Sequence, residues 1–545
     1  MAKRDFFATK TTVTIDNNSA MLERDAAHCP PTHSKNLDSS MGQASWIPWT
    51  WFIGTIVLAS SVLFYRLAAR PIVLWDEARI AINALEMAHA GLSLITTYGG
   101  MPDHWNTKPP LLIWLMSISI RALGINEWAV RLPSALSALA TVVMVFAFCH
   151  VRLKRPFVGF SAILVLFASG TFAKGYISCL GNDYVQMHAA RNGDYDVPLA
   201  LWTTGYLLAA YMYMHAAPSI QRRWLVLCTI GIALAFMTKT VQGLIFLPAL
   251  LIYAISQGRM VQILRSPTAY AGCAALLILW AGYYFVREQI DPGYFASAIG
   301  SDVVDRFFVD STGKGPFFYV GFFHCVALLF AGLQFFWGRG ESRQISLFLT
   351  LASLFYLVII SMSVTKHHWY AVPLCPLIAM IIAIGLDDVV ERIKTRGHWL
   401  ETMVNRMLAP ISLLVGMAVI ALNVQAHSNI ETWMISDDRN LTNVFLRGPV
   451  VQHKSPQKFV VFQQNFVPGG VPGDLYYVAP TLFYVTALRA SGHQIEILPP
   501  SAVVPQGFDA AVICGATMRN AVAAQFVLRT IAEDGKCGIY RLAAK

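Results

Sequence analysis

Charge is scarce in this chain: Asp, Glu, Lys and Arg make up 13% of its 545 residues, against about 25% in soluble domains. With 56% of residues hydrophobic and a mean hydropathy of +0.51, most of the sequence cannot belong to a water-soluble globule. Cysteine is sparse as well, and none of the nine is spaced as a metal ligand pair. Most lie in or beside apolar runs and Cys29 sits near the start, which leaves Cys514 and Cys537 as the candidates for an exported disulfide. No internal repeat is visible. A short leading apolar segment with a small-residue cleavage site is also missing, so the first apolar run, Trp46 to Leu67, reads as an anchor that stays.

The net charge of +10 raises the question of nucleic acid, but the Lys and Arg residues fall in blocks between apolar runs, as in the cytoplasmic loops of membrane proteins. No nucleic-acid partner is expected. Residues 1–45 are polar, mixed in charge and poor in apolar surface, which predicts a disordered cytoplasmic tail. Further apolar runs cover 131–150, 157–175, 197–215, 224–238, 241–256, 268–286, 316–337, 345–363, 369–386 and 408–426. At about 20 residues per crossing these give about eleven spans. Leu111 to Leu123, after Pro109-Pro110, is too short to cross and reads as an interfacial or re-entrant helix.

That reading has a consequence for sidedness. If Leu111 to Leu123 does not cross, the loops on the side of the tail contain Arg152/Lys154/Arg155, Arg222/Arg223, Arg259/Arg265, Arg339/Arg343 and Arg392/Lys394/Arg396/Arg406. All are basic, as the positive-inside rule requires. The opposite loops, 68–130, 176–196, Lys239-Thr240, 287–315 and Thr365 to His368, mix acids, bases and aromatics, and function is expected there. Residues 427–545 alternate strand-like pieces (Lys458 to Gln463, Gln494 to Leu498, Ala510 to Cys514, Gly538 to Leu542) with helix-like pieces near 475–490 and 517–533. This predicts a mainly α polytopic transmembrane bundle over 46–426 and an extracytoplasmic α/β domain over 427–545.

The most informative stretch is Trp75-Asp76-Glu77-Ala78-Arg79, an acid pair just after the first span. Adjacent carboxylates diverge on a helix, so one is expected to act and the other to orient or to pair with Arg79. Acids at a helix N-terminus are also favoured by the dipole alone. Lys108 precedes a double proline that holds it at the membrane surface, where lysines also snorkel without chemical purpose. Asp196 opens a span, needs a partner such as Arg191 or Arg131, and could equally cap its helix. Lys239 and Lys366, the latter beside His367 and His368, lie on the outer side against the usual lysine bias.

In order along 45–390, Asp76-Glu77, Thr107-Lys108-Pro109-Pro110, Arg131-Leu132-Pro133-Ser134, Ala190-Arg191 with Asp196, Phe236 to Lys239, Gly313 to Tyr319, and Lys366 with Tyr370 resemble the GT-C membrane glycosyltransferases. The likeness is specifically to the protein O-mannosyltransferase-like superfamily that includes the lipid A aminoarabinose transferases. One departure is Thr107, where the family often has an acid. The resemblance implies an inverting glycosyltransferase that moves a sugar from a polyprenyl-phosphate donor to an envelope acceptor such as lipid A or another glycan. The alternatives are a protein O-glycosyltransferase or, in another class, a transporter or flippase of a lipid-linked solute.

The implied catalytic residues are Asp76, Glu77 and Asp196. Lys108, Arg131, Lys239 and Lys366 would bind the donor phosphate, with Arg79, Arg191 and Tyr319 in support. The sequence requires no cofactor; a divalent metal bound by Asp76, Glu77 and outer-face histidines is left open, since no spacing demands one. The implied location is the bacterial inner membrane, with lipids as neighbours and the active site on the periplasmic face.

Overall fold

The loop after the first apolar helix shows how the chain builds its candidate site. After the helix Ile47–Phe64, the chain turns at Trp75, whose φ of 77° places a bulky residue in the left-handed region, and starts the helix Asp76–Ala90. Glu77 stabilises that start by reaching back to accept the Val73 N–H at 2.7 Å. The hairpin β1 (Thr97–Tyr98) and β2 (Met101–Pro102) leads to the helix Leu111–Leu123, bounded by Pro109-Pro110 and by Gly124 at φ 82°. Its bounds match the sequence reading, and its outward Leu115, Ile118 and Leu123 suit an interface with lipid. Asn126 then caps the long helix Glu127–Leu153 by accepting the Ala129 N–H at 2.9 Å.

The computed structural model describes residues 47–169, 176–180, 183–187, 189–309, 312–437, 440–463 and 478–545. The predicted tail, 1–45, lies outside them, as do residues 181, 182 and 188 of the loop 176–196, in which β3 (Tyr176–Leu180) and β4 (Asp183–Met187) form an antiparallel pair. The helices Asp196–His215, Pro218–Lys239, Leu247–Ser256, Pro267–Ile290, Phe322–Trp337, Gly340–Met362, Cys375–Lys394 and His398–Ser436 follow the apolar runs. Among the described residues, six helical stretches are long and apolar enough to cross a membrane, and shorter apolar helices begin at Trp49, Leu111, Pro156, Leu247 and His324. The chain is a multi-pass membrane protein. Loops grouped by charge also meet in space: Arg152 pairs with Glu341, and Arg155 with Asp387, at the end of the bundle assigned to the tail side.

The C-terminal region forms a five-stranded sheet of order β6-β5-β7-β9-β8. Strands β5 (Lys458–Phe462), β6 (Gln494–Leu498) and β7 (Ala510–Cys514) are parallel, with Lys458 opposite Gln494; β8 (Phe526–Asp534) and β9 (Cys537–Ala544) complete an antiparallel edge. The helix expected near 517–533 forms only in its first part. A helix covers Ala516–Ala523, and the rest is β8, folded onto β9 through Gly535 at φ 59°. Pairing along β9 outweighs helical propensity in a segment carrying Val527, Thr530 and Ile531. Cys514 and Cys537 form the disulfide across β7 and β9.

This sheet shares an apolar core with the outer-loop helices: Ile80, Leu112, Phe459, Phe483 and Val512 belong to one buried cluster. Tyr484 accepts the Ile72 N–H at 2.8 Å and donates to Glu127, while Arg447 donates to the carbonyls of Ala68 and Ala69. The domain is thereby locked to the segment that leads into Asp76.

Candidate active site

A first layer of charge lies beneath the acid pair. Arg131 is fully buried and uses the N–H edges of its guanidinium: it donates to Glu77 at 2.8 and 3.0 Å, and to the carbonyls of Leu67, Arg70 and Pro71. Glu77 also accepts the Gly193 N–H at 3.0 Å. Glycine is required for that approach, since a Cβ at position 193 would lie 2.6 Å from Val130 Cγ1 and 3.0 Å from the Val130 carbonyl oxygen. Burial alone would raise the Glu77 pKa, but Arg131 and the backbone donors bring it below the ordinary carboxylate value. Arg191 donates to the carbonyls of Val62, Leu63 and Tyr65. Arg79 forks onto Asp103 at 2.8 Å twice and stacks on Tyr98 at 3.5 Å.

A second layer is organised around carboxylates facing cations. Asp196, fully buried at the start of its helix, receives Lys239 Nζ at 2.6 Å. Lys239 ends its own helix, and the chain reverses at Thr240 with φ 31° and ψ −116°, a backbone that a β-branched residue adopts only under strain of about 1–3 kcal/mol. The Thr240 hydroxyl donates to Asp302 at 3.2 Å, and the Thr107 hydroxyl reaches the same carboxylate at 3.4 Å. Lys108 stands 3.7 Å and Arg306 3.3 Å from Asp302, and Arg306 donates to the Tyr370 hydroxyl at 2.7 Å. Asp76, half-buried, acts electrostatically on both Lys108 and Arg306.

Burial pushes the Lys108 ammonium below the ordinary lysine pKa, and Arg306 and Lys239 push it the same way against the pull of Asp302. For Asp302, burial raises the pKa, but Lys108, Arg306 and Lys239 together hold it below the ordinary carboxylate value. The cluster closes one end of a cleft of about 590 Å³, part of it open to solvent. Lys239, Asp302, Arg306 and Tyr370 line the polar end; Val241, Ile245, Phe307, Ile359 and Ile360 form an apolar wall.

Of the residues named from the sequence, Asp76, Lys108, Asp196 and Lys239 gather in this second layer. Glu77, Arg131 and Arg191 form the first, and Glu77 pairs with Arg131 instead of Arg79, because Arg79 is taken by Asp103. Arg131 is engaged on all three guanidinium nitrogens with Glu77 and carbonyls, so its position is that of a brace. Lys366 turns back to the Ser363 carbonyl, in the loop whose backbone N–H groups at 364 and 365 bind the Arg306 carbonyl. Tyr319 is buried within electrostatic reach of Tyr370 and Arg306. Among the described residues no three His, Cys, Asp or Glu side chains are grouped to hold a metal ion.

Sequence reasoning missed Asp302 and Arg306. The available signal was an acid and an arginine four residues apart in the outer loop 287–315, which puts both on one helical face.

Comparison with known proteins adds to this geometry. The family model for dolichyl-phosphate-mannose-protein mannosyltransferases matches residues 107–284. Similar curated proteins include the undecaprenyl phosphate-alpha-4-amino-4-deoxy-L-arabinose arabinosyl transferases of Pseudomonas savastanoi pv. phaseolicola, 28% identical over 66% of each chain, and of Aeromonas salmonicida, 26% identical over 66% of this chain and 65% of that one. The chain thus spans just under two thirds of the length of these relatives. Among solved structures, ArnT from Cupriavidus metallidurans bound to undecaprenyl phosphate superposes with a TM-score of 0.64 at 17% identity, covering 90% of this chain and 98% of that one. Its apo form gives 0.61. The chain has the GT-C type of membrane fold with a C-terminal extramembrane α/β domain, and in sequence it is similar to the lipid A aminoarabinose transferases, as its motifs led us to expect.

Proposed function

We propose that this protein is an inverting membrane glycosyltransferase that takes a sugar from a polyprenyl-phosphate donor and passes it to an envelope acceptor, lipid A or another glycan. The observation that carries this reading is the cleft whose cationic end continues into an apolar wall. A long isoprenoid chain fits the wall, and its phosphate meets Lys108, Lys239 and Arg306. The names of the arabinosyl transferases and of the undecaprenyl phosphate complex support the same donor chemistry.

In the reaction, the bond from the anomeric carbon to the phosphate oxygen breaks as the acceptor oxygen attacks from the opposite face. The leaving phosphate keeps the bonding electrons, and cations already fixed in a water-poor cleft stabilise that charge most where it develops. Asp76 takes the proton of an acceptor hydroxyl, or orients an acceptor that is already ionised. Asp196 holds Lys239 through a charge-assisted bond. Glu77, Arg131 and Arg191 brace the loop beneath, and Lys366 secures the loop that holds Arg306. Residues 46–426 are the catalytic domain and 427–545 lie outside the membrane, with the protein in the inner membrane and the cleft on the periplasmic face.

The test is purified protein in detergent or vesicles with a polyprenyl-phosphate-linked sugar. Release of free polyprenyl phosphate that depends on acceptor supports the enzyme, whereas movement of intact donor between leaflets without release identifies a carrier. Mass spectrometry of lipid A and envelope glycans, with and without the gene, then names the acceptor.

A further inference from the structure

The contacts of Asp302 set it apart from the other buried carboxylates. Glu77 is gripped by the Arg131 fork and by two backbone N–H groups, at 2.7 to 3.0 Å. Asp302 is surrounded by the donors a phosphate would use: an ammonium at 3.7 Å, a guanidinium at 3.3 Å, and the hydroxyls of Thr240 at 3.2 Å and Thr107 at 3.4 Å. Each of these contacts is longer than those of Glu77. The carboxylate lines the polar end of the cleft together with Lys239, Thr240 and Arg306.

Its backbone differs too. Asp302 sits in a π-helical turn, Gly300–Val304, between the short helices Tyr294–Ile299 and Asp305–Phe308. Such turns hold one residue more per turn than an α-helix, and they occur mainly as single-turn features at functional sites.

We propose that the Asp302 carboxylate is an internal substitute for the donor phosphate: it occupies the seat among Lys108, Arg306, Thr240 and Thr107, and must leave it for the phosphate to enter. The inference rests on the proposed donor chemistry. While the site is empty, Asp302 keeps three neighbouring cations from repelling one another apart. When phosphate arrives, the cations exchange one anion for another with little rearrangement, and the cost of expelling Asp302 sets the donor affinity.

The experiment measures binding of undecaprenyl phosphate to the full-length protein in detergent, for wild type, Asp302→Asn and Lys108→Ala. Removing a like charge beside the incoming phosphate should tighten binding roughly tenfold in Asp302→Asn. In turnover the donor KM should fall, with no matching rise in kcat, a split that a merely structural carboxylate would not produce. Equal or weaker binding by Asp302→Asn at an unchanged melting temperature overturns the proposal.

If that variant does not fold, hydrogen exchange on wild type decides. Undecaprenyl phosphate should alter exchange across residues 300–306, and an unaltered pattern there at saturating ligand rejects the substitute role. Wild type that binds undecaprenyl phosphate and loses it in Lys108→Ala, with Asp302→Asn unchanged, sinks this inference alone. Wild type that binds none removes the donor reading, and this inference with it.

Discussion

Two groups of buried charge lie close together around the first outer loop and follow opposite rules. In the layer of Glu77, Arg131 and Arg191, guanidinium groups are spent on backbone carbonyls and on one carboxylate, so the charge is consumed in holding the loop. In the layer of Asp196, Lys239, Lys108, Asp302 and Arg306, the partners are other side chains at the end of a cleft. A cation whose partners are mostly carbonyls cannot be turned toward a substrate without unfolding its surroundings. A cation whose partner is a carboxylate can exchange that partner for another anion. On the function proposed above, the same residue types, both buried, divide into scaffold and machinery by what satisfies them.

Substitutions can break this division or sharpen it. Asp76→Asn has the largest expected effect, a loss of transfer of about 10²–10⁴-fold with normal insertion and an unchanged melting temperature. Substantial release of polyprenyl phosphate by the purified variant would reject Asp76 as the base. Lys239→Ala and Lys108→Ala should each lower kcat by about 10²–10³-fold, read in the same release assay, since each removes a preorganised cation from the developing phosphate charge.

Arg131→Ala belongs to the other class. It strands Glu77 as a buried unpaired charge and should cost about 3–5 kcal/mol of stability, seen as a lowered melting temperature. If it folded normally and lost donor binding alone, the division drawn here would be wrong. The smallest effect concerns pH. Because the Lys108 pKa is lowered, its ammonium loses the proton at a pH below that of an ordinary lysine, so donor binding should fade early as pH rises. Lys108→Arg should move that alkaline limb upward, and an unmoved limb would assign it to another group.

Much of the fold could be read from the chain because membrane spans and prolines leave strong local signals. Leu111 to Leu123 is bounded by Pro109-Pro110 and Gly124, and those residues alone set its limits. The disulfide followed from compartment and elimination. One local signal was passed over: the β-branched Val527, Thr530 and Ile531 and the Asp534-Gly535 turn mark a hairpin, and the helix-like reading of 517–533 ran across it. The site divided in the same way. Asp76, Lys108, Asp196 and Lys239 were visible because charge beside an apolar run is costly and so conspicuous. Asp302 and Arg306 sit in a loop where charge is ordinary, and Arg131 looked like a ligand because sequence does not reveal the carbonyls that consume it.

The clasp between Tyr484 and Ile72 joins residues 412 positions apart, and Arg447 grips Ala68 and Ala69 from nearly as far along the chain. During synthesis the first outer loop is therefore threaded and exposed long before the piece that fixes it has been made. The segment leading into the turn at Trp75 therefore gains these contacts only after residues 447 and 484 have been made and have folded back onto it.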